Sequence, residues 1–397
     1  MKRASCSGAE AFVVGGGPAG AALAIHLARS GRSVEVIEQS AAAHHKVCGE
    51  FLSREAVAYL DALGLDLRSL GAAPIHGVRL AGRRPIAACD LPFHALSLTR
   101  RRLDEALLAL AAQSGAKVVR GRRVDALMQT NGTQADPMWV AQLAGGERHS
   151  APAVFLATGK HDIAAHRRPR GAQDSLIAFK MYFRLAPAQQ RALHGWVELF
   201  LFPGGYAGLQ LTEDNEANLC LLVERTAFAA CRQQWPALLT HLLRFCDPLA
   251  ERLDAAEPLL AKPLALSSIP YGLLVERTEP RLWRLGDQAA VIPSFSGDGI
   301  SIALHSARLA AGMYLRDEPS TEFARRLHRE LRNSVRLATM LSRLMIALPV
   351  LAHAVQLWPA VLSHLATHTR IPTAAWSPAA LAVRPQVPAP GCSHLQS

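Results

Sequence analysis

The residues best suited to chemistry fall together in 44–53, which reads HHKVCGEFLS: an amine at Lys46, a thiol at Cys48 and a carboxylate at Glu50, with Gly49 between them. A nearby Lys46 ammonium would favour the Cys48 thiolate and burial would oppose it, so the role of this thiol depends on what surrounds it. A second group carries charge recognition rather than bond chemistry. In AFVVGGGPAGAALAIHLARSGRSVEVIE (11–38), Gly15, Gly17 and Gly20 stand at G-x-G-x-x-G spacing after an apolar run, and Glu38 ends the next one. Gly15 allows a tight strand-to-helix turn, Gly17 lets backbone approach a pyrophosphate, and Gly20 lets helix and sheet pack closely. Pro18 and Ala19 open the helix, whose unpaired N–H groups favour an anion. Glu38, followed by Gln39, falls where a carboxylate accepts from ribose hydroxyls.

A third group lies far along the chain in LWRLGDQAAVIPSFSGDGISIAL (282–304). Here Gly286-Asp287 ends a strand, a proline loop follows, and Gly297-Asp298-Gly299-Ile300 opens another helix. A nicotinamide dehydrogenase requires no such distant partner, whereas a flavin does, because its ribityl chain and ring extend beyond the first nucleotide site. Asp287 is placed for a ribityl hydroxyl. The N–H groups of Gly299 and Ile300 would face the pyrimidine edge, stabilising negative charge on the reduced ring.

The elements that must position these groups follow from periodicity. Strand–glycine–helix units predict a three-layer Rossmann-like α/β domain. FKMYFRL (179–185), WVELFLF (196–202), YAGLQLT (206–212) and ANLCLLV (217–223) predict an antiparallel sheet, with turns at 203–205 and 213–216. TEFARRLHRELRNSVRLATMLSRLM predicts a C-terminal amphipathic helix. The expected organisation is a discontinuous nucleotide domain (1–74, 96–168, 279–317), a substrate-binding β-sheet domain (75–95, 169–278), C-terminal helices (318–376) and a proline-rich disordered tail (377–397).

GGGPAG with Glu38, SLTRRRLDEALLALAAQSGAKVV, FLATG and GDQAAVIPSFSGDGI together resemble the FAD-dependent oxidoreductases of the p-hydroxybenzoate hydroxylase clan, in particular its geranylgeranyl-reductase-like branch. The resemblance implies FAD as cofactor and NADPH or NADH as reductant. It also implies that Arg100, rather than Arg101 or Arg102, contacts the FAD. The FAD site then consists of Gly15, Gly17, Pro18, Ala19, Gly20, Glu38, Gln39, Cys48, Gly49, Arg100, Gly286, Asp287, Gly297, Asp298, Gly299 and Ile300. Lys46, Cys48, Gly49, Glu50, Tyr206 and Phe295 are candidates for the flavin's surroundings, with Trp196 a further cavity candidate. Where the aromatic hydroxylases carry an Asp-Gly pair, this chain reads ATGKHD (157–162), so that role does not transfer directly, and Lys160, His161 and Asp162 either add charge at the site or form a polar strand-end loop. Cys48 is read as a flavin-adjacent packing residue rather than a free catalytic thiol.

The leading expectation is hydroxylation of a hydrophobic small molecule using NAD(P)H and O2. The alternative is reduction of double bonds in a prenyl or polyene chain. Halogenation ranks lower, because the W-x-W-x-I-P signature is absent and Lys46 is the one lysine expected near the flavin. A non-catalytic lipid escort is opposed by the intact nucleotide signatures.

Composition narrows the partners. The 397 residues carry a formal charge of +11, yet the arginines are scattered and no compact basic run appears, which argues against a nucleic-acid ligand. Sixteen histidines include none at metal-ligand spacing, so no metal is expected. Seven cysteines, an odd count without a CxxC pair, predict reduced thiols and a cytoplasmic location. The apolar stretch 344–366 is broken by two prolines and reads as packed helix, with peripheral membrane contact the minority reading. Oligomeric state is left open.

Overall fold

The computed structural model describes residues 9–130, 138–347, 370, 371 and 376. The expected tail at 377–397 and most of the apolar segment 344–366 therefore lie outside the described residues. The nucleotide domain is built on a five-stranded parallel sheet. Its order is Leu282–Arg284, Ala153–Leu156, Ala11–Val14, Val34–Glu38, Lys117–Arg120, so the first strand is central. The strand Ala11–Val14 is buried on both faces, as parallel strands are, and its alternation divides two cores. Ala11 and Val13 face the layer of helices Pro18–Arg29, Arg100–Gln113 and Gly299–Leu315. Phe12 and Val14 face a three-stranded antiparallel meander (Val124–Gln129, Trp139–Leu143, Arg148–Ala151) through Trp139, Ala141 and Leu143. Helices, sheet and meander are the three layers.

The second sheet has nine strands. Leu176–Arg184, Ala217–Glu224, Gly205–Leu211 and Gly195–Phe202 pair antiparallel in that spatial order, within a few residues of the four strands expected from sequence. One junction differs from an antiparallel sheet: Gly195–Phe202 runs parallel to Ala73–Ala81. These two strands come from separate segments of the chain, so no hairpin dictates their direction. Trp196 is spent at this junction. Its ring lies where a Cβ on Gly77 would be, with the Arg79 guanidinium 4.1 Å from its centroid. It is therefore a packing aromatic and does not line the cavity described below.

The helix Ser320–Ala347 buries Phe323, Leu327, Leu331, Val335 and Ala338, three to four residues apart. That stripe packs on the nucleotide domain, with Phe323 5.3 Å from Trp283. Among the described residues no helix is long and apolar enough to cross a membrane.

Candidate active site

A cavity of about 460 Å³ runs between the two sheets and collects nearly all the residues singled out from sequence. Its lining joins Gly15, Gly17, Pro18, Ala19, Glu38 and Gln39 from the first signature with Gly286, Asp287, Gly297, Gly299 and Ile300 from the second, and adds Lys46, Cys48, Gly49, Glu50 and Arg100.

The turn Gly15–Gly20 has the shape that its spacing demands. Gly15 adopts φ +104°, and a Cβ there would strike the Ala157 carbonyl oxygen. A Cβ on Gly20 would overlap the Gly15 carbonyl oxygen, so Gly20 shapes the turn from behind and does not line the cavity. The Glu38 carboxylate accepts from the N–H groups of Gly16 (2.8 Å) and Ser40 (2.9 Å), one per oxygen. Each oxygen retains acceptor capacity for a ribose hydroxyl. The backbone at Gly17, Gly49, Gly159 and Gly299 faces open space or the far end of the Arg100 side chain, leaving room for close approach by a ligand. An acceptor at Glu38, helix N-termini at Gly17 and Gly299, and glycine backbone with open space beside it along the cleft fit FAD.

Arg100 is held rather than free. Its Nε and Nη2 donate to Asp104 at 2.7 and 2.9 Å, and Lys46 Nζ donates to the same carboxylate at 2.8 Å. Burial works against the Arg100 charge, but Asp104 more than offsets it and holds the guanidinium above its ordinary range. Burial likewise opposes the Asp104 charge, and Arg100 and Lys46 hold it low. Two cations against one anion leave a net positive wall beside Gly17, where phosphates are expected. Lys46 thus serves Asp104 instead of activating Cys48, whose Sγ accepts from the Glu50 N–H at 3.3 Å.

Sequence reasoning missed the support of the 44–50 loop. Glu50 is fully buried with φ +62°, and its Oε1 is 2.6 Å from the Nζ of Lys180, which is also fully buried. Tyr182 OH lies 2.9 and 2.7 Å from the two carboxylate oxygens, Asn218 Nδ2 donates to Oε2 at 3.1 Å, and the Arg100 N–H donates to Oε1 at 2.7 Å. Asn218 also reaches the carbonyls of Cys48 and Gly49, and Lys180 that of Lys46. Burial pushes Glu50 upward while Lys180 and the other donors pull it back. Lys180, Tyr182 and Asn218 alternate with apolar residues in FKMYFRL and ANLCLLV, and a polar residue at a strand position was the only available signal.

Besides Gly20 and Trp196, three more expected site residues stand outside the cavity lining. Tyr206 and Phe295 do not line the cavity; their rings meet edge-to-face at 5.9 Å behind it, and Tyr206 OH is 3.4 Å from Ser294 Oγ. Burial raises the Tyr206 phenol to about 12. Asp298 also points away, its Oδ1 3.0 Å from Arg370 Nη1, while Oδ2 is buried with no hydrogen-bond partner among the described residues. Lys160 joins Lys46 in the lining, contrary to the expectation of one lysine, and donates to the Val47 carbonyl at 3.2 Å.

Asp298 yields a pH prediction. Burial raises it from 3.8 to about 7, with Arg370 opposing. Between those values the folded chain keeps a proton that the unfolded chain has lost, so this group's contribution to stability falls as pH rises through the window. Asp298→Asn is expected to flatten that decline, measured by denaturant unfolding at the two ends of the window.

Comparisons with known proteins agree with this geometry. Residues 8–169 match the FAD binding domain family model. The menaquinone reductase of Mycolicibacterium smegmatis is 29% identical, covering 76% of this chain and 75% of its own. A geranylgeranyl bacteriochlorophyll reductase-like protein of Thermoplasma acidophilum shares the fold at TM-score 0.70 and 20% identity, covering 95% and 96%. PqsL of Pseudomonas aeruginosa, solved with 2-aminobenzoylacetate, does so at TM-score 0.69 and 19% identity, covering 89% and 99%. Halogenases occur among both the sequence relatives and the fold neighbours. The chain carries an FAD binding domain over residues 8–169 and is an FAD-dependent enzyme, similar in sequence to menaquinone reductases and in fold to FAD-dependent reductases, monooxygenases and halogenases.

Proposed function

We propose that this enzyme reduces a hydrophobic quinone- or polyene-type small molecule with electrons from NADPH or NADH. The observation that carries this reading is the alignment with menaquinone reductases over three quarters of both chains. The cavity lining supports it: Leu264, Ala265, Leu266, Tyr271, Val291 and Ile292 offer a largely apolar wall.

Bound FAD would supply the hydride-transfer chemistry. The protein's part is to hold and to charge the site. Glu38 would accept from the ribose, and the Arg100–Lys46–Asp104 cluster and the N-terminus of Pro18–Arg29 would hold the phosphates. The Gly299 and Ile300 N–H groups stabilise negative charge. The apolar wall excludes water from the reacting atoms. A reductant has a docking route as well. A groove shares Asp162 with the cavity and is lined by Arg168, Arg170 and Arg225. Arg168 is tied down by Asp162 and by the carbonyls of Lys160 and Asp287, whereas Arg170 and Arg225 are exposed. Charge reversal at Arg170 or Arg225 is expected to raise the NAD(P)H KM about tenfold with kcat little changed, and to weaken its salt dependence in steady-state assays.

Hydroxylation is the second reading, favoured by the likeness to PqsL. Anaerobic oxidation of NAD(P)H by menaquinone or a prenylated analogue, with a product about two mass units heavier, supports reduction. Uptake of oxygen and a product about 16 mass units heavier supports hydroxylation instead.

A further inference from the structure

His45 lines the cavity, and its Nδ1 lies 3.1 Å from the Tyr182 hydroxyl. That hydroxyl reaches both Glu50 oxygens, and Glu50 reaches the Lys180 ammonium, so four side chains form one line from the cavity into the buried interior. The donor inventory sets its direction. An ionised carboxylate only accepts, so Tyr182 O–H donates to Glu50. A hydroxyl whose single proton is so engaged accepts from its other neighbour, which places the imidazole proton on Nδ1 and leaves Nε2 as an acceptor. Among the described residues Nε2 has no hydrogen-bond partner.

The charged and titratable groups facing the ring are Lys180, Arg101, His44, Tyr182 and Glu50. Burial, with the cations Lys180 and Arg101 and the His44 ring, lowers His45 to about 4, so the ring is neutral at neutral pH. The terminal carboxylate is pushed the opposite way by burial. Both displacements favour movement of a proton inward along the line.

We propose that His45 is the proton acceptor of this cavity, taking the O–H proton of a phenol- or hydroquinone-class ligand at Nε2 while its Nδ1 proton passes through Tyr182 to Glu50. The ligand O–H bond breaks and the Nε2–H bond forms. Nδ1–H breaks as a new Tyr182 O–H forms, and the former Tyr182 proton moves to Glu50. The ligand ends as an oxyanion, and Glu50 as a neutral acid beside the Lys180 ammonium. No electrons are transferred in this step. The ligand is the reduced, hydroxyl-bearing state of a quinone-type ring, since a quinone itself has no O–H to give, and the assignment rests on the proposed function.

The test titrates flavin-loaded, full-length protein with 4-nitrophenol at a pH where the free phenol is mostly protonated, following the phenolate band by difference absorbance. Saturable binding as phenolate is expected. In His45→Gln and Tyr182→Phe the phenolate-to-phenol ratio at saturation falls about tenfold, which corresponds to one pKa unit on the ligand. Tyr182→Phe keeps the ring's volume, and retained flavin absorbance shows whether each variant preserves the site. ¹⁵N NMR of histidine-labelled protein provides a readout without ligand: the Nδ1-protonated tautomer of His45 in the parent gives way to a mixture in Tyr182→Phe. Equal phenolate ratios in the parent and both variants, with the tautomer unmoved, overturn the role of His45. Absence of saturable phenol binding overturns the ligand class and the proposal with it. Menaquinone reduction is scored separately, so quinone turnover combined with equal phenolate ratios sinks the His45 assignment and leaves the reductase reading standing.

Discussion

Lys180→Met is expected to lower the unfolding free energy of the flavin-loaded protein by about 3–5 kcal/mol, the usual penalty for removing one partner of a buried ion pair. Both members of this pair are fully buried, and Glu50 would be left charged or forced to take up a proton. Tyr182, Asn218 and the Arg100 N–H would still donate to it, but none carries a charge there. The double variant Lys180→Met/Glu50→Gln is expected to recover much of the loss, because a neutral amide no longer needs the ammonium. Denaturant unfolding of the parent, both single variants and the double variant closes the cycle. A strictly additive double variant would show that the two residues are not coupled. The 44–50 loop should loosen with the pair, since Lys180 and Asn218 hold the carbonyls of Lys46, Cys48 and Gly49.

Gly20→Ala is expected to weaken FAD binding at least about 100-fold, or ~2.7 kcal/mol, so that the purified variant is nearly colourless. The added Cβ would occupy the place of the Gly15 carbonyl oxygen, which belongs to backbone and cannot rotate aside. Gly15 is itself confined by φ +104° and by the Ala157 carbonyl, so the strain has no outlet except displacement of the helix Pro18–Arg29. That displacement moves the N-terminus meant for the pyrophosphate. Flavin content after dialysis and the dissociation constant from fluorescence quenching both report it. Retention of flavin at the parent level would show that helix and strand tolerate wider spacing. Gly31→Ala is the useful comparison: a Cβ there meets nothing within 4 Å, although φ +78° makes it strained, so flavin binding should persist.

How much could be read in advance depends on how locally each feature is specified. The Gly15–Gly20 turn, Glu38, Arg100 and the 286–300 segment were legible because each acts through backbone geometry or a helix terminus within a few residues. The cavity does bring them together. Aromatics were the weaker guide. Trp196, Tyr206 and Phe295 look alike as cavity walls or core, and Gly77, Ser294 and neighbouring rings take them into packing instead. Asp298 was read as a cofactor contact from its place between two glycines. The partner that turns it away, Arg370, is 72 residues distant, and no local pattern reveals it.

HHKVCGEFLS shows the same division within ten residues. Its spacing after Glu38 was enough to place it beside the nucleotide, because the strand and turn before it leave the chain nowhere else to run. The chemistry of its groups was decided by residues 50 to 170 positions away. Lys46 is committed to Asp104, Glu50 to Lys180, Tyr182 and Asn218, and His45 to Tyr182. By itself, then, the sequence determined the nucleotide fold, the cofactor and the address of the site, since glycine conformation and hydrophobic period act over short range. Only the tertiary structure decided which polar groups are neutralised, which remain available to a ligand and which support the others. Burial and charge pairing are set by contacts between sheets, and those contacts leave no local trace in the chain.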